Sequence, residues 1–173
     1  MIDTVGVKFG LIVMDPVAVF CIQVPVVVTV KGIPFEKKTF DLSYHPHGEK
    51  GNRKLAVTDI YYLEEEDHNA VAIGSGVRFM DAMNVKKIAD TVYEFVSFDH
   101  DKSLGNNLIH FVPKNGNEIK GTILLPDLNT QEIICEANAS ELKVGDVIQF
   151  ERYAFCRLDN KTESGLEFWF THD

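Results

Sequence analysis

Apolar residues recur at every second position along most of this 173-residue chain. They are mainly Val, Ile, Phe, Tyr and Thr, which suit the pleated, half-buried surface of a β-strand. No segment keeps the apolar spacing of an amphipathic helix beyond two turns. The pattern therefore predicts an all-β fold, with helix limited to short segments at Glu64–Ala72 and Asn138–Leu142.

About eleven segments have the composition of strands, and turn signals rich in Gly, Pro, Asn and Asp separate them. Among these segments are Val7–Met14, Val17–Val30, Leu108–Val112 and Val147–Leu158. Many short strands with regular turns are typical of a sandwich or barrel, and we expect two packed barrels. The sequence shows no internal repeat of fixed period.

Composition and charge limit the class of protein. Hydrophobic residues make up 45% of the chain and charged residues 25%, as in ordinary folded proteins. The apolar run Val24–Val30 is far shorter than the roughly 20 residues that span a bilayer, and the N-terminus has no secretory pattern, so we expect a cytoplasmic protein. The three cysteines are expected to be reduced core thiols. The net charge of −9 opposes binding of a polyanion by bulk electrostatics.

Catalytic motifs are missing from the sequence. Gly74-Ser75-Gly76 precedes a strand and has no following Lys-Ser/Thr, so it does not resemble a phosphate-binding loop. No nucleophile elbow is present, and no cysteine has a neighbouring histidine. The acidic run Glu64–Asp67 is expected to be solvated, because consecutive side chains point apart on any regular element.

The segment HPHGEKGNRKL, residues 45–55, has two interpretations by residue chemistry. If the segment were extended, His45 and His47 would lie on one face, where His68 or His100 could complete a metal site. The pattern Pro46 with Gly48 equally suits a polar turn with solvated histidines.

Four blocks in a fixed order resemble the C-terminal anticodon-binding region of archaeal and eukaryotic-type glutamyl-tRNA synthetases, a region shared with glutaminyl-tRNA synthetases. The blocks are IVMDPV (12–17), HPHGEKGNRKLAVTDIYYLEEED (45–67), GVRFMDAMNVKKI (76–88) and LKVGDVIQFERYAFCRLD (142–159). The similarity covers nearly the whole chain. Each block alone is weakly specific, whereas the ordered set is quite specific.

The resemblance implies a fold of two packed antiparallel β-barrels of the ribosomal protein L25-like type. One barrel would be discontinuous, formed by residues 1–40 with 108–173. The other would be formed by residues 41–107. This expectation agrees with the all-β pattern and the strand count.

The resemblance also implies tRNA binding at the anticodon, as part of a glutamate–tRNA ligase. No counterpart of the class I catalytic signatures occurs in the sequence, so no catalytic residue is assigned. We expect this chain to hold no cofactor and no metal, since ATP and Mg²⁺ would serve the catalytic domain of the parent enzyme. The expected partners are tRNA and that catalytic domain, with no membrane.

Five residues are predicted tRNA contacts by position in the matched blocks: Arg78, His47, Arg53, Lys54 and Arg152. Arg78 matches an arginine that the family uses at an anticodon base, where a planar guanidinium can hydrogen-bond or stack. Arg53 and Lys54 would position sugar and phosphate. Each basic residue also has a structural interpretation as an ordinary strand or turn residue, with Asp81 the expected partner of Arg78.

The sequence departs from the family pattern at two places. Lys8-Phe9-Gly10 stands where the first strand often has an arginine, and Met80 replaces a second basic residue. These losses and the negative charge support one alternative, a free-standing L25-like barrel that binds another RNA or a protein. A further alternative, which rests on the histidine pair, is a metal-dependent enzyme that uses His45 and His47.

Overall fold

The computed structural model describes residues 16–44, 51–104 and 107–173, so the predicted strand Val7–Met14 lies outside the described residues. The described residues form an all-β protein, as predicted. The strands are β1 (Val17–Val19), β2 (Cys21–Ile22), β3 (Pro25–Lys31), β4 (Thr39–Ser43), β5 (Asn52–Ala56), β6 (Ile60–Glu64), β7 (Gly76–Phe79), β8 (Met83–Ala89), β9 (Val92–Ser97), β10 (Leu108–Ile109), β11 (Phe111–Pro113), β12 (Ile119–Leu124), β13 (Thr130–Cys135), β14 (Val147–Phe150), β15 (Ala154–Thr162) and β16 (Gly165–His172). Helix α1 (Glu65–Ala70) and 3-10 segments at Lys102–Leu104 and Ala137–Glu141 complete the fold, which confirms both predicted short helices.

The first barrel is a seven-stranded sheet with the order β1-β14-β15-β16-β12-β13-β2. Its two edge strands, β1 and β2, are separated in the chain by Phe20 alone. Because consecutive Cα atoms are about 3.8 Å apart, the two edges approach within about 7.6 Å at that residue. The sheet is therefore a nearly closed barrel.

The second barrel is a seven-stranded sheet with the order β10-β7-β8-β9-β3-β6-β11. Its edge strands, β10 and β11, are separated by His110 alone, so it closes in the same way. Most strand pairs in both sheets are antiparallel, as predicted. Four are parallel, namely β1·β14 and β12·β16 in the first barrel and β10·β7 and β3·β9 in the second.

The two barrels repeat the same backbone hydrogen bonds, at positions 71 residues apart. Gly74 and Gly145 both have positive φ, and each donates its N–H over 2.7 Å, Gly74 to Lys87 O and Gly145 to Leu158 O. Asp81 and Arg152 hold the same left-handed conformation in the turns that follow, with φ of 57° and 62°. Residues 68–87 therefore correspond to residues 139–158.

This repeat belongs to the backbone and is not visible as a repeat in the sequence. Between residues 68–87 and 139–158 the identical pairs are Gly74 with Gly145 and Phe79 with Phe150. The glycines supply the positive φ, and the two phenylalanines are fully buried in their barrels. The other positions differ because strand pairing depends on backbone groups and on the alternation of faces, which many side chains satisfy.

Each barrel has its own core. The first barrel is filled by residues such as Ile148, Phe150 and Phe168. The core of the second barrel also includes Phe40 of the hairpin formed by β4 and β5, so the hairpin covers the second barrel.

The closing residues of the two barrels contact each other. The rings of Phe20 and His110 have centroids 5.9 Å apart. The Nε2–H of His110 donates to the carbonyl oxygen of Cys21 over 2.9 Å. The points where the two sheets close are thus packed into one junction.

Three predicted strands are wrong as single elements. Val17–Val30 is divided at Phe20 and again at residues 23–24, and Leu108–Val112 is divided at His110, because the sheets close or cross there. Val147–Leu158 is divided by the turn at Arg152, whose positive φ cannot continue a strand.

The chain passes from the first sheet to the second at residues 23–24 and returns at residues 114–118. Strand β3 pairs with β6 and β9, so it belongs to the second sheet although it precedes residue 41. The first sheet is discontinuous and the second comes from the middle of the chain, which is the arrangement the resemblance implies. The domain boundaries at 40/41 and 107/108 stay a prediction.

The cysteines Cys21, Cys135 and Cys156 are free and buried, as predicted. Burial raises the pKa of each thiol, so they stay protonated. None of the helices in the described part of the chain is long and apolar enough to cross a lipid bilayer.

Candidate nucleic-acid interface

Arg78 lies on β7, on the face opposite to the barrel core, and is 9% exposed. Its Nη1 donates to Asn84 Oδ1 over 3.2 Å and to the carbonyl oxygen of Phe98 over 3.3 Å. Asn84 is held in turn by Ser97 Oγ, to which it donates over 2.8 Å. One edge of the guanidinium is therefore fixed by a hydrogen-bonded row across β7, β8 and β9.

The other edge of the Arg78 guanidinium is uncommitted. No hydrogen bond from its Nε or Nη2 is found among the described residues. Burial lowers the pKa of Arg78, and the nearby carboxylates of Asp81 and Asp99 act in the opposite direction. Asp81, the expected partner, thus stabilises the charge without forming an ion pair within 4 Å. A guanidinium held on one edge can present two parallel donors on the other.

Arg53 is buried on β5 and forms an ion pair with Glu136, with Nε and Oε1 2.6 Å apart and side-chain exposures of 1% and 0%. Its guanidinium also stacks over the rings of Phe20 and Tyr44. Glu136 belongs to the first barrel and also accepts the backbone N–H of Phe20 over 2.8 Å. The structure therefore places Arg53 in a buried clamp between the hairpin and the first barrel.

Lys54, the next residue, lies on the opposite face of the hairpin and is exposed. Its Nζ forms an ion pair with Asp41 at 2.6 Å, with side-chain exposures of 67% and 57%. An exposed pair of this kind is broken easily, because water and salt screen it. Lys54 is thus accessible to a phosphate, whereas Arg53 has its Nε and Nη1 donors committed to Glu136 and to the carbonyl oxygen of Ser43.

Arg152 lies in the turn between β14 and β15 and is paired with Asp67 of helix α1. The pair is bidentate, with distances of 2.7 and 2.8 Å. This pair raises the pKa of Arg152. Asp67 belongs to the helix that follows β6 of the second barrel, so Arg152 connects the two barrels.

The expectation that Glu64–Asp67 is fully solvated is wrong at its two ends. Glu64 is half-buried and accepts the backbone N–H groups of Gln23 and Val24, at 2.9 and 2.7 Å. Burial raises the pKa of Glu64. Asp67 is occupied by Arg152, and Glu65 and Glu66 are the residues of the run that are more open to solvent.

The predicted contacts do not form one cluster. Arg53 and Arg152 each join parts of the protein at the junction of the barrels, while Arg78 lies in the second barrel and Lys54 on the outer face of the hairpin. His47, with His45, lies outside the described residues. The roles of all five residues in tRNA binding stay predictions.

Gln149 is a candidate that the sequence pattern did not identify. It lies on β14, and its position corresponds to Arg78 in the second barrel, since both precede the matched phenylalanines Phe150 and Phe79. An amide offers a donor and an acceptor for a base edge. The signal that could have found it is the pattern Gly-x-x-Val/Ile-x-Phe, which recurs at residues 74–79 and 145–150.

A cavity of about 290 Å³ opens between the barrels and is lined by His110, Arg152 and the acidic run. The Nδ1 of His110 is buried, has no hydrogen-bond partner among residues 16–44, 51–104 and 107–173, and lies 4.0 Å from Asp67 Oδ2. Burial lowers the pKa of His110, and the charge of Arg152 acts in the same direction. His110 is therefore held neutral, with its proton on Nε2.

We expect the free energy of unfolding to fall as the pH is lowered below 6.5. The pKa of His110 is lower in the folded state than its ordinary value of 6.5, so the unfolded chain binds a proton that the folded chain excludes. The contribution of neutral His110 to stability is then fully present above pH 6.5 and is lost as the pH falls below it. Urea unfolding at pH 7.5 and pH 5.5 measures the loss, which should be smaller in His110→Gln.

The matched control for this pH dependence is His100→Gln, which removes an exposed histidine. Its stability difference between the two pH values should equal that of the unchanged chain. An equal difference for His110→Gln would contradict the assignment.

No group of three or more metal-binding side chains is found in the part of the chain that the structure describes. His68 lies 3% exposed in the second barrel, with its Nδ1 3.1 Å from Tyr93 Oη. Its ring is thus engaged in the core, while His100 is exposed. The proposed pair His45 and His47 lies outside the described residues.

Comparison with known proteins defines the class. Two family models match in succession, both described as the anti-codon binding domain of class I tRNA synthetases (E and Q), at residues 19–97 and 89–159. Together these matches cover residues 19–159, which include strands of both barrels. The chain belongs to the family of class I tRNA synthetase anticodon-binding domains.

Its relatives within that class are glutamate–tRNA ligases of archaea. The ligase of Methanobrevibacter smithii is 34% identical over 166 residues, which cover 92% of this chain and 28% of the ligase. The ligase of Methanothermobacter thermautotrophicus is 34% identical over 151 residues, covering 86% and 26%. That of Archaeoglobus fulgidus is 35% identical over 146 residues, covering 83% and 25%. The chain thus spans about a quarter of the length of these relatives.

Proposed function

We propose that this chain binds the anticodon arm of glutamate tRNA and serves as the tRNA-recognition region of a glutamate–tRNA ligase. The observation that carries the proposal is the match of residues 19–159 to anticodon-binding domains, together with glutamate–tRNA ligases as relatives. Aminoacylation, with its ATP and Mg²⁺, would take place in a catalytic domain outside these residues. The expected location is the cytoplasm.

Arg78 is the residue we assign to base recognition. Its guanidinium is oriented by Asn84 and Phe98 O, which leaves Nε–H and Nη2–H for the acceptor edge of an unpaired base. Orientation by the protein lowers the entropy lost on binding. Lys54 would add a phosphate contact. Arg53 would hold the hairpin against the first barrel, and Arg152 would hold the two barrels together.

A second candidate function is that of an L25-like barrel protein that binds another RNA or a protein. The observation in its favour is charge, because the chain carries −9 and the carboxylates Glu64–Asp67 lie at the junction of the barrels. Under the main proposal, affinity would come largely from the rest of the parent enzyme, and this region would add local base contacts.

Arg78→Lys should reduce anticodon discrimination by about tenfold while leaving weak binding intact, since a correctly placed bidentate contact contributes about 1–3 kcal/mol of discrimination. The measurement is the ratio of affinities for glutamate tRNA and for the same tRNA with a substituted anticodon, at low salt.

The control for Arg78 is Lys86→Met, which removes an exposed positive charge from the neighbouring strand β8. It should weaken binding of both tRNAs equally and leave the ratio unchanged. If Arg78→Lys also left the ratio unchanged, Arg78 would not be the base-reading residue.

A further inference from the structure

The outer surface of β15 and β16 in the first barrel carries two pairs of flat side chains, which we call the aromatic face: Phe155, Arg157, Trp169 and His172. The rings of Phe155 and His172 are stacked, with centroids 4.5 Å apart and planes inclined by 6°. The guanidinium of Arg157 lies over the ring of Trp169, 5.3 Å from its centroid. Strand pairing places the two pairs side by side, because Phe155 faces His172 and Arg157 faces Trp169 across the strands.

The aromatic face is open to solvent. Trp169 is 46% exposed, although tryptophan is a large apolar residue, and His172 is also exposed. The corresponding row in the second barrel is Arg78, Asn84 and Ser97, which the backbone of residues 98–99 covers through hydrogen bonds. The same position in the fold is thus polar in the second barrel and aromatic in the first.

Hydrogen bonds orient two parts of the aromatic face. Arg157 Nη2 donates to Asp159 Oδ1 over 2.7 Å, which holds the guanidinium over the indole. Thr171 Oγ1 donates to Phe155 O over 2.8 Å and lies 3.1 Å from His172 Nδ1, next to the stacked rings. Binding to such surfaces loses little side-chain entropy, because the rings are already ordered.

We propose that the aromatic face stacks unpaired nucleobases of the RNA that this chain binds. The proposal rests on the proposed function, and it adds a second contact surface to it. Aromatic rings and arginine planes bind bases through their π-faces, which every base presents. The face is continuous with the candidate interface, since Gln149 on β14 pairs with Phe155.

The distribution of charge predicts which side of the aromatic face the phosphate backbone of a bound RNA would follow. The carboxylates Asp159 and Glu167 lie one row beyond Arg157 and Trp169 on the same strands. Phosphates would be repelled there, so the backbone would follow the opposite side, past Gln149 and His172. A duplex cannot use the face, because its bases are stacked inside the helix.

Trp169 is the single tryptophan of the chain, so its fluorescence has one source. Titration with glutamate tRNA, and with a seven-nucleotide single-stranded RNA of the anticodon-loop sequence, should quench that fluorescence. A fully paired RNA of equal length should leave it nearly unchanged. Filter binding at low salt, run in parallel, reports whether each RNA is bound at all.

Substitution tests the same contact without fluorescence. Trp169→Leu should weaken binding of the single-stranded RNA by about tenfold, and Phe155→Leu should do so to a similar or smaller extent. The control is Phe35→Leu, which removes an aromatic ring that is 50% exposed outside the aromatic face and should leave affinity unchanged. Circular dichroism verifies that each variant is folded.

The proposal is overturned if tRNA is retained on the filter while the fluorescence of Trp169 is constant, or if paired RNA quenches it equally. Quenching by single-stranded RNA, without preference for the anticodon of glutamate tRNA, would support the aromatic face and contradict the proposed function. If neither the tRNA nor the single-stranded RNA quenched the fluorescence of Trp169, and neither was retained on the filter, both the role of the aromatic face and the proposed function would be contradicted.

Discussion

Glu136→Ala should lower the free energy of unfolding by about 3–5 kcal/mol, because it leaves the buried cation of Arg53 without its partner. Both side chains are almost inaccessible to solvent, at 1% and 0% exposure. Glu136 also accepts the N–H of Phe20, where the first barrel closes. The substitution therefore removes two interactions at once: the ion pair that holds the hairpin to the first barrel, and the hydrogen bond to Phe20 where that barrel closes.

A matched control for Glu136→Ala exists on the same hairpin. Lys54 and Asp41 form an ion pair of the same length, 2.6 Å, but both side chains are more than half exposed. Asp41→Asn should change stability far less, because solvent screens the pair. Urea unfolding of both variants makes the comparison, and equal effects would show that Glu136 is not a buried clamp.

The double variant Arg53→Met with Glu136→Leu should recover much of the lost stability. Apolar side chains of similar size replace both charges, so no unpaired ion is left in the core. If tRNA discrimination is retained in the folded double variant, Arg53 has a structural role. If discrimination is lost there while stability is recovered, the predicted tRNA contact of Arg53 is supported.

Phe111→Ala should lower the free energy of unfolding by about 3–5 kcal/mol, the range for truncating a buried aromatic ring. Phe111 is fully buried beside the closing residue His110. Its ring contacts Phe20, Phe40, Tyr61 and Phe79 at centroid distances of 5.3–5.9 Å. The cavity would therefore open where both barrels and the hairpin meet.

Phe111→Leu should cost much less, since it keeps most of the apolar volume. Phe35→Ala is the control for loss of a ring, because Phe35 is half exposed. Urea unfolding gives the three values. A loss for Phe111→Ala no larger than for Phe35→Ala would contradict the central position of Phe111 in the core.

The alternation of apolar residues predicted the all-β class, because it follows directly from the two faces of a strand. The alternation of apolar residues did not predict the ends of strands that stop without Gly or Pro. Phe20 and His110 interrupt apolar segments, and both are themselves buried ring residues that local composition cannot distinguish from strand residues. Arg152 adopts a positive φ that its residue type does not indicate.

The candidate site was predictable only in part. Arg53 and Lys54 are adjacent and were assigned the same role, yet strand alternation places one inside and the other outside. The partner of Arg53 is 83 positions away, so no local pattern indicates it. The correspondence of Gln149 with Arg78 likewise depends on backbone hydrogen bonds shared between two barrels whose side chains differ.

Under the proposed function, this chain recognises the anticodon of glutamate tRNA. The most direct measurement compares, by filter binding at low salt, the affinity of the 173-residue chain for glutamate tRNA and for the same tRNA with its anticodon substituted. We predict weak binding overall and at least about tenfold preference for the native anticodon. Equal affinity for the two tRNAs, or no retention of either, would contradict the claim.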